Sequence, residues 1–299
     1  MCAIKNDLLR YMLDVRNAGR AAVGGWLAWW TTENERFIRR KILSFFTKKK
    51  PAKAIKAVFF DLDGTLLDVE MNGFIAAYIE GLGRHFSDVA MRYNFGSALR
   101  EAMMALLEGK NGFDSNEQLF LAVLQQRLGI DADLFFARLE NYCVDGLSRL
   151  QTFVNPLPLA RQILDQCRAL NLTVVLATNP VFPRAIVDAR LAWGGMGDFP
   201  FDLVTSIENT RFCKPDPRYF SDLLDRFGLA PKETIMVGND TEHDLAALDV
   251  GMKTFLVDTW LIDRGSNFEP DYRGGHQDLL MFLEGLGPFG GIKIMDHLR

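Results

Sequence analysis

Residues 58–68 read VFFDLDGTLLD, and this stretch decides the fold of the chain. The apolar run AIKAVFF at 54–60 predicts a short buried strand that ends at a pair of aspartates and a glycine. Asp61 and Asp63 lie two residues apart, so their carboxylates would repel each other and raise each other's pKa. Such an arrangement requires a cation, a proton or a reaction that uses both groups.

Two further apolar runs end in polar residues in the same way. LTVVLA at 172–177 precedes Thr178 and Asn179, and TIMVG at 234–238 precedes the sequence ND. Helix-like segments separate the three runs, and strands that alternate with helices predict an α/β fold with a doubly wound parallel sheet. In such sheets, ligands bind beyond the carboxyl ends of the strands. The polar residues that follow the three strands are therefore expected to converge on one site.

The segment between the first two strands has a different pattern. Four stretches in it carry apolar residues at helical spacing, and its aromatic residues, including Phe74, Tyr78, Phe113 and Phe136, are interpreted as core. The predicted organisation is a basic amphipathic segment and linker at 1–53, an α/β core at 54–69 and 155–286, a helical cap at 70–154 and a tail at 287–299.

The N-terminal segment carries a charge opposite to that of the rest of the chain. Residues 1–56 hold 13 Lys and Arg against 4 Asp and Glu, whereas the whole chain has a net charge of −4. The uncharged stretch at 21–32 is too short to span a bilayer, and Asp7 and Asp14 ahead of it argue against a secretory signal. Two alternatives stay open: a helix lying on an anionic membrane surface, or docking of its tryptophans on the globular body or on a second copy of the chain.

Composition narrows the class of protein and its partners. The chain has 299 residues, 48% of them hydrophobic, which is typical of an ordinary globular protein. Its four cysteines are scattered without metal-ligand spacing and predict reduced thiols in a cytoplasmic protein. The basic residues of the N-terminal segment lack the alternating aromatics of a strand-binding groove, so no nucleic-acid partner is predicted. The oligomeric state does not follow from the sequence.

The polar residues after the strands suggest phosphoryl transfer. Four carboxylates are expected at this edge of the sheet: Asp61, Asp63, Asp240 and Asp244. They would repel one another unless they held a hard cation, and oxygen ligands suit Mg²⁺. Lys214, in CKPDP, would add a positive charge, and Thr178 with Asn179 would add hydrogen-bond donors. A cation, an ammonium and a hydroxyl around a carboxylate are the groups that a transferring phosphoryl group requires.

These residues carry a resemblance to a known family. The sequence DLDGTLLD, the Thr178–Asn179 pair, KPDP and GNDTEHD occur in the order typical of the haloacid dehalogenase-like superfamily. The helical insert lies where that family's helical, C1-type cap lies, and DYRGG followed by HQDLLMFL resembles the end of such proteins. The resemblance covers residues 54 to about 285.

The resemblance implies a role for each residue. Asp61 would be the nucleophile that forms an aspartyl-phosphate, and Asp63 would be the general acid and base. Thr178, Asn179 and Lys214 would bind the phosphoryl oxygens of the substrate. The implied Mg²⁺ ligands are Asp61, Asp240 and the backbone carbonyl of Asp63, with Asp244 supporting directly or through a water. Gly64 would allow a sharp turn, and Thr65 would orient the loop.

The second aspartate decides between subclasses of the family. Members that dehalogenate carbon substrates typically lack it, and an acid is useful when the leaving group is an alkoxide. The sequence therefore predicts a Mg²⁺-dependent phosphatase that acts on a small phosphorylated metabolite, under a cap that closes over the site. A sugar-phosphate mutase uses the same residues and stays an alternative, as do another hydrolase of this superfamily and an adaptor that recruits a membrane or protein through residues 1–50. His243 is expected to face solvent or a neighbouring helix, and His276 has no predicted role.

Overall fold

The computed structural model of the chain describes residues 55–109 and 112–286. The predicted amphipathic segment and the tail at 287–299 lie outside the described residues. Contact of residues 1–50 with a membrane or a protein therefore stays a prediction. Across the described ranges, none of the helices combines the length and the apolar character needed to cross a membrane.

The centre of the fold is a parallel sheet of six strands. Its strands are β1 (Ala57–Phe60), β4 (Thr173–Leu176), β5 (Leu203–Val204), β6 (Thr234–Gly238), β7 (Lys253–Val257) and β8 (Tyr272–Gly274). The order across the sheet is β5-β4-β1-β6-β7-β8. In this order β1 lies between the two other strands that the sequence predicted, with Phe60 opposite Leu176 on one side and Val237 on the other. The predicted α/β class with a parallel sheet is confirmed.

The insert leaves and rejoins the sheet domain through a small antiparallel ribbon. This ribbon consists of β2 (Leu67–Val69) and β3 (Val154–Pro156). Between them lie the helices α1 (Met71–Arg84), α2 (Arg92–Leu107), α3 (Asn116–Leu128) and α4 (Ala132–Asp145), followed by a 3₁₀ segment, Leu147–Phe153. Ser115 and Asp131 cap α3 and α4 by accepting hydrogen bonds from backbone N–H groups of the first turn. The helices that flank the sheet are α5 (Pro158–Ala169), α6 (Arg184–Trp193), α7 (Pro217–Phe227) and α8 (His276–Glu284).

Alternate residues of β1 face two separate hydrophobic clusters. Ala57 and Phe59 belong to the smaller cluster, which includes residues of α7. Val58 and Phe60 belong to the larger one, which continues into the insert and includes Phe74 of α1. Because one continuous core joins the sheet to α1, the insert packs against the sheet domain.

Two smaller expectations have different outcomes. Cys143, Cys167 and Cys213, the cysteines within the described residues, are free thiols, and the last two are buried. Phe113, which the sequence predicts to be a core residue, is 43% exposed. It lies in the connection between α2 and α3, outside the helices, so no apolar face of a helix carries it inward.

Candidate active site

A buried lysine joins two carboxylates at the carboxyl edge of the sheet. Lys214 Nζ lies 2.7 Å from Asp61 Oδ1 and 2.6 Å from Asp244 Oδ1. Asp61 follows β1, Asp244 follows β6, and Lys214 comes from the connection between β5 and α7. The lysine is 1% exposed and Asp61 is 8% exposed. Residues 153 positions apart in sequence thus form one ionic group.

The charges in this group depend on one another. Burial by itself would lower the pKa of Lys214, but Asp244 and Asp61 raise it well above its usual value, so the side chain is an ammonium. Burial raises the pKa of Asp244, and the nearby Lys214 only partly opposes this shift. One ammonium compensates two buried carboxylates incompletely, which leaves the site receptive to further positive charge.

Asp63 is held by an arginine that the sequence analysis missed. Its Oδ2 accepts a hydrogen bond of 2.6 Å from Nη1 of Arg190 in α6, whereas its Oδ1 is buried and has no hydrogen-bond partner in the part of the chain that the structure describes. Burial raises the pKa of the Asp63 carboxyl, and Arg190 counteracts this effect. No local pattern marks Arg190, because it lies 127 residues along the chain from its partner.

Asp240 organises the turn after β6. Its Oδ1 accepts hydrogen bonds from the backbone N–H groups of Glu242 and His243, at 3.0 and 2.9 Å. Its Oδ2 lies 2.7 Å from Nε of Arg264, and its own N–H donates to Asp244 Oδ2 at 3.0 Å. His243 Nδ1 is 3.8 Å from Asp240 Oδ2, and its side chain is 25% exposed. Asp240 is thus bound by its own turn and by Arg264.

The carboxylates do not form a metal cage in this arrangement. Within residues 55–109 and 112–286, no group of three or more His, Cys, Asp and Glu side chains is placed to hold a metal ion. Lys214 and Arg264 supply positive charge to these carboxylates instead. The donor atoms are nevertheless hard oxygens, and Asp61 Oδ2 has only a long contact of 3.5 Å with the Thr65 hydroxyl.

The residues after β4 are tied to the lysine loop. The carbonyl of Thr178 accepts hydrogen bonds from the hydroxyls of Thr205 and Tyr219, at 2.8 and 3.0 Å. Asn179 Nδ2 donates to the carbonyl of Lys214 at 3.2 Å, and Asn179 Oδ1 is buried without a partner among the described residues. Sequence reasoning singled out Thr178, Asn179 and Lys214 but not the two hydroxyls that hold the backbone of Thr178 in place.

A histidine that follows the edge strand β8 binds the loop that carries Asp61 and Asp63. His276 Nε2 lies 2.8 Å from the carbonyl of the fully buried Thr65, and its Nδ1 lies 3.0 Å from the Thr259 hydroxyl. Burial lowers the pKa of His276, although the Thr65 carbonyl opposes this shift. The neutral imidazole thus donates from Nε2 to Thr65. No role for His276 follows from the sequence.

This lowered pKa predicts a pH-dependent stability. The unfolded chain protonates His276 near pH 6.5, whereas the folded protein resists the proton, so His276 lowers the free energy of unfolding as pH falls from about 7.5 to about 5.5. The variant His276→Gln keeps a side-chain donor but does not titrate. We expect the stability of this variant to fall less over this range than that of the unmodified protein. Urea unfolding of both proteins at the two pH values measures it, and equal losses would contradict it.

Gly64 shows why the turn between the aspartate pair and Thr65 needs glycine. Its φ is +82°, and a Cβ placed on it would lie 2.1 Å from Nδ2 of Asn239. Gly64→Ala is expected to lower the free energy of unfolding by about 2 kcal/mol, from backbone strain and the contact together. Gly129→Ala is the matched control, because its φ is +70° and nothing lies within 4 Å of its added methyl group. The control is expected to lose about 1 kcal/mol in urea unfolding, and an equal loss in both variants would show that the contact is unimportant.

The comparisons with known proteins agree with this geometry. Residues 55–250 match the family model described as haloacid dehalogenase-like hydrolase. The chain belongs to the haloacid dehalogenase-like hydrolases. This assignment confirms the family and the hydrolase class that the motifs predicted.

Several relatives of this hydrolase are similar over most of their length. The pyrophosphatase PpaX of Bacillus velezensis is 27% identical over 78% of this chain and 98% of its own length. The phosphoglycolate phosphatase of Vibrio cholerae is 28% identical over 74% of this chain and 92% of its own. The structure of the 2-haloacid dehalogenase from Pseudomonas syringae pv. tomato DC3000 is similar with a TM-score of 0.53 and 23% identity, over 78% of this chain and 97% of that one. This last similarity concerns the fold alone.

Proposed function

We propose that this hydrolase is a Mg²⁺-dependent phosphatase that hydrolyses a small phosphorylated metabolite through an aspartyl-phosphate at Asp61. The observation that carries the proposal is the pairing of the nearly buried Asp61 with the fully buried Lys214, beside a second carboxylate, Asp63, with an unpartnered oxygen. The pyrophosphatase and phosphoglycolate phosphatase among its relatives support a small phosphorylated substrate.

The residues provide each part of a two-step transfer. In the first step an Asp61 carboxylate oxygen forms a bond to phosphorus, the bond from phosphorus to the leaving oxygen breaks, and Asp63 gives that oxygen a proton. In the second step Asp63 takes a proton from water as the water oxygen forms a bond to phosphorus and the bond from phosphorus to the Asp61 oxygen breaks, which releases phosphate and restores the Asp61 carboxylate. The raised pKa of Asp63 suits a group that must hold a proton before it donates one.

Lys214 and Thr178 are suited to the transferring phosphoryl oxygens. An ammonium has three N–H donors, and Asp61 and Asp244 accept two of those of Lys214, which leaves one for a phosphoryl oxygen. The Thr178 backbone is held by Thr205 and Tyr219, which positions its hydroxyl. Asn179 is the third substrate-binding residue in this proposal.

Mg²⁺ would be held by Asp61, Asp240 and the backbone carbonyl of Asp63, with Asp244 supporting. The oxygen donors fit a hard cation, and two carboxylates around one lysine leave negative charge for it to balance. Asp240 would exchange its contact with Arg264 for the cation. When bound, the ion would neutralise phosphoryl oxygen charge as it develops in the transition state.

The test is phosphate release from a panel of small phosphate esters and pyrophosphate, with and without Mg²⁺. We expect release that requires the metal and stops on chelation. Release of phosphate that is unaffected by chelation would contradict the metal requirement. Conversion of a sugar phosphate to its isomer without phosphate release would replace the phosphatase by a mutase.

A further inference from the structure

Arg190 carries a cation into the interior of the protein beside the proposed acid. The residue is 0% exposed and belongs to α6, on the sheet domain. Its Nη1 donates to Asp63 Oδ2 at 2.6 Å, which is its ion pair in this structure. The guanidinium lies over the rings of Phe182 and Phe74, 4.8 and 5.5 Å from their centroids. Phe74 belongs to α1, so the guanidinium lies where the insert meets the sheet domain.

Only one corner of this guanidinium is used by a hydrogen bond to Asp63. Its Nε and Nη2 are buried and have no hydrogen-bond partner within the described ranges. These two N–H groups point the same way along one edge of the planar group, which is the edge that binds a carboxylate or phosphate with two parallel hydrogen bonds. The faces of the two aromatic rings stabilise the positive charge, but they do not accept hydrogen bonds from the N–H groups in the plane of the guanidinium. Buried donors of a cation are costly when unpaired, and an anionic acceptor on this edge would remove that cost.

Other unpartnered polar atoms lie in the same region. They include Asp63 Oδ1, Asn179 Oδ1 and the hydroxyl of Tyr78 in α1. The Tyr78 ring packs edge-on against Phe182 at 5.4 Å, and Phe182 also covers Arg190. Phe182 thus contacts both Tyr78 of the insert and Arg190 of the sheet domain, and each of these two residues has a buried polar atom that a polar ligand could satisfy.

We propose that the Nε–Nη2 edge of Arg190 binds a second anionic group of the substrate, next to the leaving oxygen. The inference rests on the proposed phosphatase function, in which Asp63 protonates that oxygen. Because Arg190 bonds directly to Asp63, a carboxylate or second phosphate one or two atoms from the leaving oxygen comes within reach of the free edge. The substrate class is thus a phosphate ester or anhydride with a neighbouring anionic group. A plain alcohol phosphate would leave the edge unpaired.

The test compares probes that differ only in the neighbouring group. The probes are 2-phosphoglycolate with a carboxylate, pyrophosphate with a second phosphate, and 2-hydroxyethyl phosphate with a neutral hydroxyl. Calorimetric titration of the Asp61→Asn protein gives their dissociation constants without turnover, and kcat/KM of the unmodified protein gives their use as substrates. We expect at least one anionic probe to be favoured over the neutral one by about tenfold or more in both measurements. Whichever of the two anionic probes is favoured identifies the anionic group as a carboxylate or a phosphate.

Two variants attribute the preference to Arg190. Arg190→Gln removes the charge, and Arg190→Lys keeps it but lacks the paired donors of the free edge. We expect the preference to fall to about one in the Gln variant and to an intermediate value in the Lys variant. The preference is a ratio within one protein, so a general loss of stability or of Asp63 function does not imitate this result.

The outcomes separate this inference from the proposed function. Equal affinity of the Asp61→Asn protein for all three probes, with Arg190 in place, overturns the inference, as does a preference that stays undiminished in either Arg190 variant that folds. If neither variant folds, the comparison of probes with Arg190 in place still tests whether the site prefers a neighbouring anionic group. Binding that favours an anionic probe without phosphate release from any probe overturns the phosphatase and leaves the anion site standing.

Discussion

Asp61→Asn is expected to lower kcat for phosphate release by at least about a thousandfold. The amide oxygen is not a nucleophile at phosphorus, so no aspartyl-phosphate forms. The amide still accepts a hydrogen bond from Lys214, whose Nζ lies 2.7 Å from Asp61 Oδ1, so the fold is expected to persist. Stopped assays with the best ester of the panel measure the effect, together with acid-quench labelling by a radioactive phosphate ester. The label should be trapped on the unmodified protein and be absent from the variant.

The matched control lies in the same stretch of sequence. Asp68→Asn makes the same chemical change in β2, where Asp68 Oδ2 accepts a hydrogen bond of 3.1 Å from Asn155 Nδ2 away from the lysine. Its activity is expected to stay within about twofold of the unmodified protein, since an exposed polar contact contributes little. Retention of about a tenth of the activity by Asp61→Asn would remove Asp61 from the nucleophile's role.

Lys214→Met is expected to cause the largest loss of stability of any single substitution considered. It leaves Asp61 and Asp244 buried beside each other without the ammonium that compensates them. Removal of one partner from a buried ionic group costs about 3–5 kcal/mol. For a domain of this size the loss corresponds to a fall in Tm of roughly 6–20 °C. Thermal unfolding measures this fall in Tm. The same variant is expected to release no phosphate, because a residue proposed to bind the phosphoryl oxygens is lost.

Lys253→Met is the control for this effect. Lys253 forms an ion pair with Asp271, but its side chain is 41% exposed and the pair lies away from the carboxyl edge. Such a half-exposed pair contributes about 1 kcal/mol or less, because water screens its charges. A similar fall in Tm for both variants would mean that the burial of Lys214 is not what makes its ion pairs important.

Three parts of the candidate site could be predicted because their signals are local. Each central strand is a short apolar run, and a parallel sheet places the ends of such strands at one edge. The residues that follow β1, β4 and β6 are therefore neighbours in any fold of this class. Lys214 could be predicted as a site residue only from the order of motifs in the family, since a single lysine in a loop carries no pattern of its own.

The partners of these residues could not be predicted. Arg190 lies in an ordinary amphipathic helix, and His276 begins a helix at the far end of the chain, 211 residues from the Thr65 carbonyl it holds. Arg264 lies in an irregular segment between β7 and β8. Each is one polar residue among many similar ones, and its importance depends on which distant group the fold places within hydrogen-bond distance.

The sequence by itself determined which carboxylates lie at the edge of the sheet, because the strands, the glycine turn and these carboxylates are adjacent along the chain. The tertiary structure alone decided how these charges are balanced: Lys214 between two carboxylates, Arg190 on Asp63 and Arg264 on Asp240. The physical reason is that burial makes a charge expensive unless an opposite charge is brought to it. Packing of helices and loops from distant parts of the chain brings those charges together.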